Sequence, residues 1–147
     1  MLDTLYFDDF SLGQKFVSKG RTVTEADVVN FSSLSWDHNS LHTDEEYARR
    51  KPYQRRIAHG ILGIAMHAGL TSYLTADSIL ALLHLSWDFK KPIFIGDTIH
   101  VEQTVQEMRP LSDGARGVLA FAKEVINQDG EVVQQGQVKV LLAMRSK

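Results

Sequence analysis

Residues 57 to 74 read IAHGILGIAMHAGLTSYL, a helical stretch that is apolar on nearly all sides. A surface helix carries one apolar stripe and one polar face, so a helix without a polar face has to be buried. The rest of the chain must therefore cover it. Its first turn falls near Gly60, where backbone N–H groups have no intrahelical partner and can bind an oxyanion. His59, His67 and three glycines interrupt the run, so it is no membrane span, and no other stretch is long enough to be one.

Upstream lies the polar segment DHNSLH, residues 37 to 42. Asn39-Ser40 favours a turn, and the segment lacks helical periodicity. Thr43, with Glu46 three residues later, forms a capping-box pattern, which predicts a helix starting directly afterwards. Asp37 and His42 are thus expected on an ordered turn pinned by a cap. Thr24 and Asp27 give an earlier capping pattern, followed by a helix of about three turns with Ala26, Val29, Phe31 and Leu34 on its apolar face.

The second half reads as strands. Residues 83–89 and 97–107 alternate with period two, Ile99, Val101 and Val105 sharing one face. Residues 118–126 form a third strand, Asp129-Gly130 a hairpin, and 131–144 the longest strand. Connections this short make antiparallel neighbours. Helices early and strands late give an α+β class, in one domain spanning 1–147.

The residues Asp37-x-Asn39-x-Leu41-His42, then Ala48, then Ile57-Ala58-His59-Gly60 resemble the MaoC-like R-specific enoyl-CoA hydratases. The likeness extends to YFDDFSLGQKF near the start, VTEADVVNFSSLS before the motif and KKPIFIGDTIHVE after the helix, and so covers most of the chain. It implies the hot-dog fold, a curled antiparallel sheet wrapped around one central helix. It also implies hydration of trans-2-enoyl-CoA to (R)-3-hydroxyacyl-CoA, or the reverse dehydration, as part of fatty acid metabolism. By the same resemblance Asp37 and His42 are the catalytic dyad holding the water, and Gly60 is the oxyanion donor. Asn39 orders the loop, and His59 is a supporting, hydrogen-bonded histidine at the start of the helix. Where the family usually has Gly, Pro and Ser, this chain has Trp36, Ser40 and Ala68. These differences bear on the shape of the acyl pocket.

The chemistry asks for these residue types. A proton must be taken from water and one delivered to the α-carbon; histidine titrates near neutrality and can take that proton, and a carboxylate beside it can orient or share the task. Read by spacing alone, Asp37 and His42 fit a structural turn better than a catalytic pair, since polar loop residues are usually structural. His38, His42 and His59 could be metal ligands, but HEXXH is absent and Asn-Ser breaks any shared helical face, so no metal is expected. Gly63 and Gly69 read as packing glycines, and His67, His84 and His100 as core-edge or surface residues. Five basic residues between Arg49 and Arg56 form either a solvated loop or a dock for the phosphates of coenzyme A.

The absence of cysteine removes disulfides and thiolate catalysis. An acidic N-terminus without a basic or long apolar run predicts no signal peptide and a cytoplasmic location. A net charge of −2 gives no reason to expect nucleic acid. No cofactor is expected, since coenzyme A belongs to the acyl-CoA substrate, and no membrane partner. The fold implies at least a homodimer. The alternatives are a hot-dog acyl-CoA thioesterase, which commonly works without this Asp-x4-His pair, and a non-catalytic acyl-CoA-binding domain.

Overall fold

Strand periodicity in the second half builds the framework. The computed structural model describes residues 3–145. The short strands β1 (Lys15–Val17) and β2 (Arg21–Thr22) precede the long strands β3 (Ile79–Phe89), β4 (Thr98–Pro110), β5 (Arg116–Ile126) and β6 (Val132–Ala143). All pairings are antiparallel, in the order β1-β4-β5-β6-β3, with β2 also laid along β4. The longest strand is β4 rather than β6. Gly130, at φ 75°, makes the turn between β5 and β6.

The helices α1 (Glu25–Ser35), α2 (Ser40–Thr43), α3 (Glu45–Arg49) and α4 (Gly60–Thr71) lie in the first half. The expected α+β class holds. The core helix α4 begins three residues later than its apolar run suggests, because Ile57 bridges Phe94 and the Ala58 N–H donates to the Ile93 carbonyl. Its last residues tighten into a 3-10 turn, Ser72–Thr75. Leu62, Met66 and Leu70 of α4 pack with Val28, Ile99, Val101 and Val125. Gly63 permits this approach, since a Cβ there would collide with the Gln134 amide.

Further expectations are corrected. The helix α4 is not buried all round: Ile61, Ala65, Ala68 and Gly69 are exposed because the sheet covers only one side. Gly69 therefore packs against nothing, while His67 is buried. On α1 the buried face is Val28 and Ser32, with Val29 and Leu34 exposed. Strand β3 ends the sheet and is exposed on both faces, including Leu80, Leu82, Leu83 and Leu85.

Candidate functional site

The segment between α1 and α4 is shaped by its caps. The reciprocal Thr24/Asp27 capping box starts α1 as expected. At its end Trp36 takes the left-handed conformation, φ 65°, and turns the chain into Asp37. The Asp37 carboxylate accepts from the Asn39 N–H, and the Asn39 side chain accepts from the Leu41 N–H as N-cap of α2. The polar segment thus contains one helical turn, carrying His42, where a plain turn was expected. The next cap is Asp44, not Thr43. Asp44 accepts from the Tyr47 N–H, while the Thr43 hydroxyl bonds back to the His38 and Asn39 carbonyls.

This local folding brings Asp37, His42 and His59 together. The His42 Nδ1 lies 2.7 Å from the Ile57 carbonyl oxygen. A carbonyl only accepts, so Nδ1 carries the hydrogen and the neutral ring keeps its lone pair on Nε2. That Nε2 lies 4.0 Å from Asp37 Oδ2, across a gap open to solvent on the aspartate side. The His59 ring stacks on His42 at 3.9 Å between centroids. Its Nε2 donates to the Asp37 backbone carbonyl at 3.0 Å and lies 3.0 Å from the Ser32 hydroxyl. Burial pushes the His59 imidazolium below its ordinary range, which keeps the ring neutral.

Gly60 follows His59 as the first residue of α4. Its N–H has no intrahelical partner and stands at the positive end of the helix. The carbonyl of Gly60 accepts from the Gln134 amide, whose oxygen accepts from the Trp87 indole N–H. The Phe89 ring lies where a side chain on residue 60 would go. Beside Gly60 opens a cleft of about 210 Å³, lined by Tyr53, Ile57, Phe89, Lys90 and Pro92.

Ligand atoms of Asp37, His42 and His59 lie within 4.8 Å of one another. One nitrogen of each ring, Nδ1 of His42 and Nε2 of His59, is however already committed to a backbone carbonyl. His38, considered as a ligand in the sequence, is exposed and outside this group.

The basic segment is resolved residue by residue. Arg56 forks onto Glu25 and also bonds Glu45, tying the starts of α1 and α3 together. Arg49 pairs with Glu46, and Arg55 lies over the Phe94 ring at 3.6 Å. Sequence reasoning missed Ser32, Gln134, Trp87 and Phe89. Gln134 carried a signal, a polar residue at an inward position of an apolar strand.

An antiparallel sheet lying against one core helix, with an acid and two histidines at that helix's N-terminus, defines the type of protein. Over 98% of the chain and 46% of the neighbour it superposes with a TM-score of 0.87 and 22% identity on a Mycobacterium tuberculosis protein described as a double hotdog fold. The chain belongs to the MaoC-like family: residues 9–126 match its MaoC like domain. It is 30% identical over 140 residues, 95% of this chain and 93% of the relative, to an (R)-specific enoyl-CoA hydratase of Rhodospirillum rubrum. A solved structure described as a monoamine oxidase regulatory protein, from Archaeoglobus fulgidus, superposes with a TM-score of 0.89 and 31% identity over 97% of both chains.

Proposed function

We propose that this chain, acting as one domain, hydrates trans-2-enoyl-CoA to (R)-3-hydroxyacyl-CoA or runs the reverse dehydration. The observation that carries the reading is the His42 lone pair facing the Asp37 carboxylate across 4.0 Å, beside a free helix N-terminus. The relative named (R)-specific enoyl-CoA hydratase supports it.

In this reading one water sits between His42 Nε2 and Asp37, giving one hydrogen to each. The thioester oxygen lies at the Gly60 N–H, which draws electrons from the C2=C3 bond. As the water oxygen bonds to C3, His42 takes its proton and the thioester becomes an enolate held by that N–H. Asp37 balances the imidazolium charge. His42 then returns the proton to C2, so the net change is addition of one water. His59 positions Asp37 through its backbone carbonyl. Coenzyme A, carried by the substrate, is the only cofactor-like group required. Lys90, on the cleft beside Gly60, suits its phosphates. A cytoplasmic acyl-CoA pool fits this reading, and no helix among the described residues is long and apolar enough to cross a membrane.

The test is a panel of enoyl-CoAs and saturated acyl-CoAs, scored separately for loss of the enoyl double bond and for free thiol. Hydration without thiol release is expected. Thiol release from saturated thioesters identifies a thioesterase instead, and binding without turnover a non-catalytic domain.

A further inference from the structure

On β5 the inward positions are Leu119, Phe121, Lys123 and Val125. A lysine at such a position is unusual, because a buried ammonium is costly unless an anion answers it. Lys123 is only 6% exposed. Its Nζ donates to the Thr71 hydroxyl at 3.2 Å and lies 5.3 Å from the Phe121 ring centroid. An ammonium has three N–H donors, and among the described residues no carboxylate pairs with this one.

Lys123 sits in the wall of a cavity of about 330 Å³ that opens along α4. Its lining is mainly apolar, with Ile64, Ala68, Leu82, Leu85 and Val138, and no acidic side chain. Two more buried polar atoms there, Gln103 Oε1 and His67 Nε2, have no hydrogen-bond partner. Burial brings the Lys123 ammonium down to about 7 and the His67 imidazolium to about 4. Gln103 Oε1 is an amide oxygen, and His67 Nδ1 donates to the Ile64 carbonyl, so both unanswered atoms are acceptors and neither calls for an anion. The Lys123 ammonium does: an empty apolar cavity does not explain a cation with two N–H donors to spare in its wall, whereas a ligand with an apolar body and an anionic end does.

We propose that this cavity seats the far end of an acyl chain that terminates in a carboxylate, paired with the Lys123 ammonium, so that the acyl group is that of a dicarboxylic acid. The inference deepens the hydratase reading and rests on it for the thioester end at Gly60. The cavity starts at Ile64, one turn past Gly60, and reaches Thr71. From Gly60 to Thr71, beside Lys123, ~1.5 Å of rise per residue gives ~16 Å of helix, and a hydrogen bond of about 3 Å at each end leaves ~10 Å for the acyl chain, a length that suits diacids of roughly eight to ten carbons.

Calorimetric titration of the full chain with octanoyl-CoA, the mono-thioester octanedioyl-CoA and free octanoate tests this without requiring turnover. Octanedioyl-CoA is expected to bind at least ~10-fold more tightly than octanoyl-CoA, the scale of a buried charge pair. Lys123→Met, which keeps length and apolar character, is expected to abolish that ratio. Equal affinities in the wild type, or no measurable binding of either thioester, overturn the proposal whether or not the variant folds. A ratio that survives in folded Lys123→Met overturns the role of Lys123. Free octanoate binding as tightly as octanedioyl-CoA assigns the cavity to a free acid and overturns the thioester end. Absent hydration with the binding ratio intact sinks the hydratase reading alone, and hydration without the ratio sinks the dicarboxylate alone.

Discussion

The Nε2 of His42 stands 4.0 Å from Oδ2 of Asp37, while the opposite nitrogen of the same ring is tied to the Ile57 carbonyl. The separation is too long for a direct hydrogen bond and suits one bridging water. The Ile57 bond fixes the tautomer, so the ring presents an acceptor to that water. His59 holds the other partner, stacking on His42 while donating to the Asp37 backbone.

The role of Gly60 is separable from its small size. His59 has ψ 136°, a conformation compatible with a following proline, and the first helical position tolerates proline. Gly60→Pro removes the N–H, whereas Gly60→Ala keeps it, and both press on the Phe89 ring. Proline is expected to lower kcat by ~10²–10³-fold, the scale of one oxyanion donor, and alanine to act mainly on KM. Steady-state hydration kinetics of the two folded variants decide; equal kcat losses reduce Gly60 to a packing residue.

The entry into the site carries backbone strain at Trp36. Its φ of 65° costs a non-glycine residue ~1–2 kcal/mol, and the residue is 86% exposed. Trp36→Gly should relieve that strain, offset in part by the flexibility of glycine in the unfolded chain, for a net gain of up to ~1 kcal/mol. Ser40 opens α2, and Asn39 has ψ 137°. Ser40→Pro should therefore add about 0.4–1 kcal/mol. Urea midpoints measure both. A loss of stability for Trp36→Gly contradicts the strain account and points to a contact made by the indole.

Much of this was legible in the sequence for identifiable reasons. Period-two alternation placed Ile99, Val101 and Val105 on one buried face, and the Thr24/Asp27 box fixed the start of α1. The site motif could be quoted residue by residue because it is local. Thr43 failed as a cap because Asp44, the next residue, offers a competing oxygen. The open sides of α4 and β3 were hidden because apolar character reports a need for cover and not which surface supplies it. Lys123 was within reach of the same period-two argument, as a lysine between Phe121 and Val125. The Arg56 fork was not, since Glu25 lies 31 positions away.

Lys123 should leave a mark on stability against pH. Its proton is held to about 7 in the folded chain against an ordinary 10.5. Between those values the unfolded chain binds more protons, so folding stability rises with pH. The penalty is complete below pH 7 and vanishes above 10.5. Without ligand, Lys123→Met should exceed the wild type in stability by an order of a few kcal/mol at neutral pH, and the gap should close toward pH 10. His67, at about 4 against 6.5, faces the same cavity and should destabilise both proteins as pH falls from 6.5 to 4. Denaturant titrations across pH measure the gap; one that does not narrow contradicts burial of the free ammonium.

The unpaired edge of β3, with Leu80, Leu82, Leu83 and Leu85 exposed, meets the open face of α4 around one cavity at Leu82, Leu85, Ala65 and Ala68. Apolar surface of this extent next to a free edge calls for a second copy. Light scattering should give at least twice the 16.5 kDa chain mass at working concentration. A mass of one chain contradicts this.

One water shared by Asp37 and His42 is tested most directly by the hydration rates of Asp37→Asn, His42→Gln and the double variant on one enoyl-CoA. Each single change should cost ~10²–10⁴-fold with the fold intact, and the double variant should be little worse than either, because both groups act on the same water. Retention of more than about a tenth of the activity in either folded single variant, or losses that multiply in the double, contradicts the shared water.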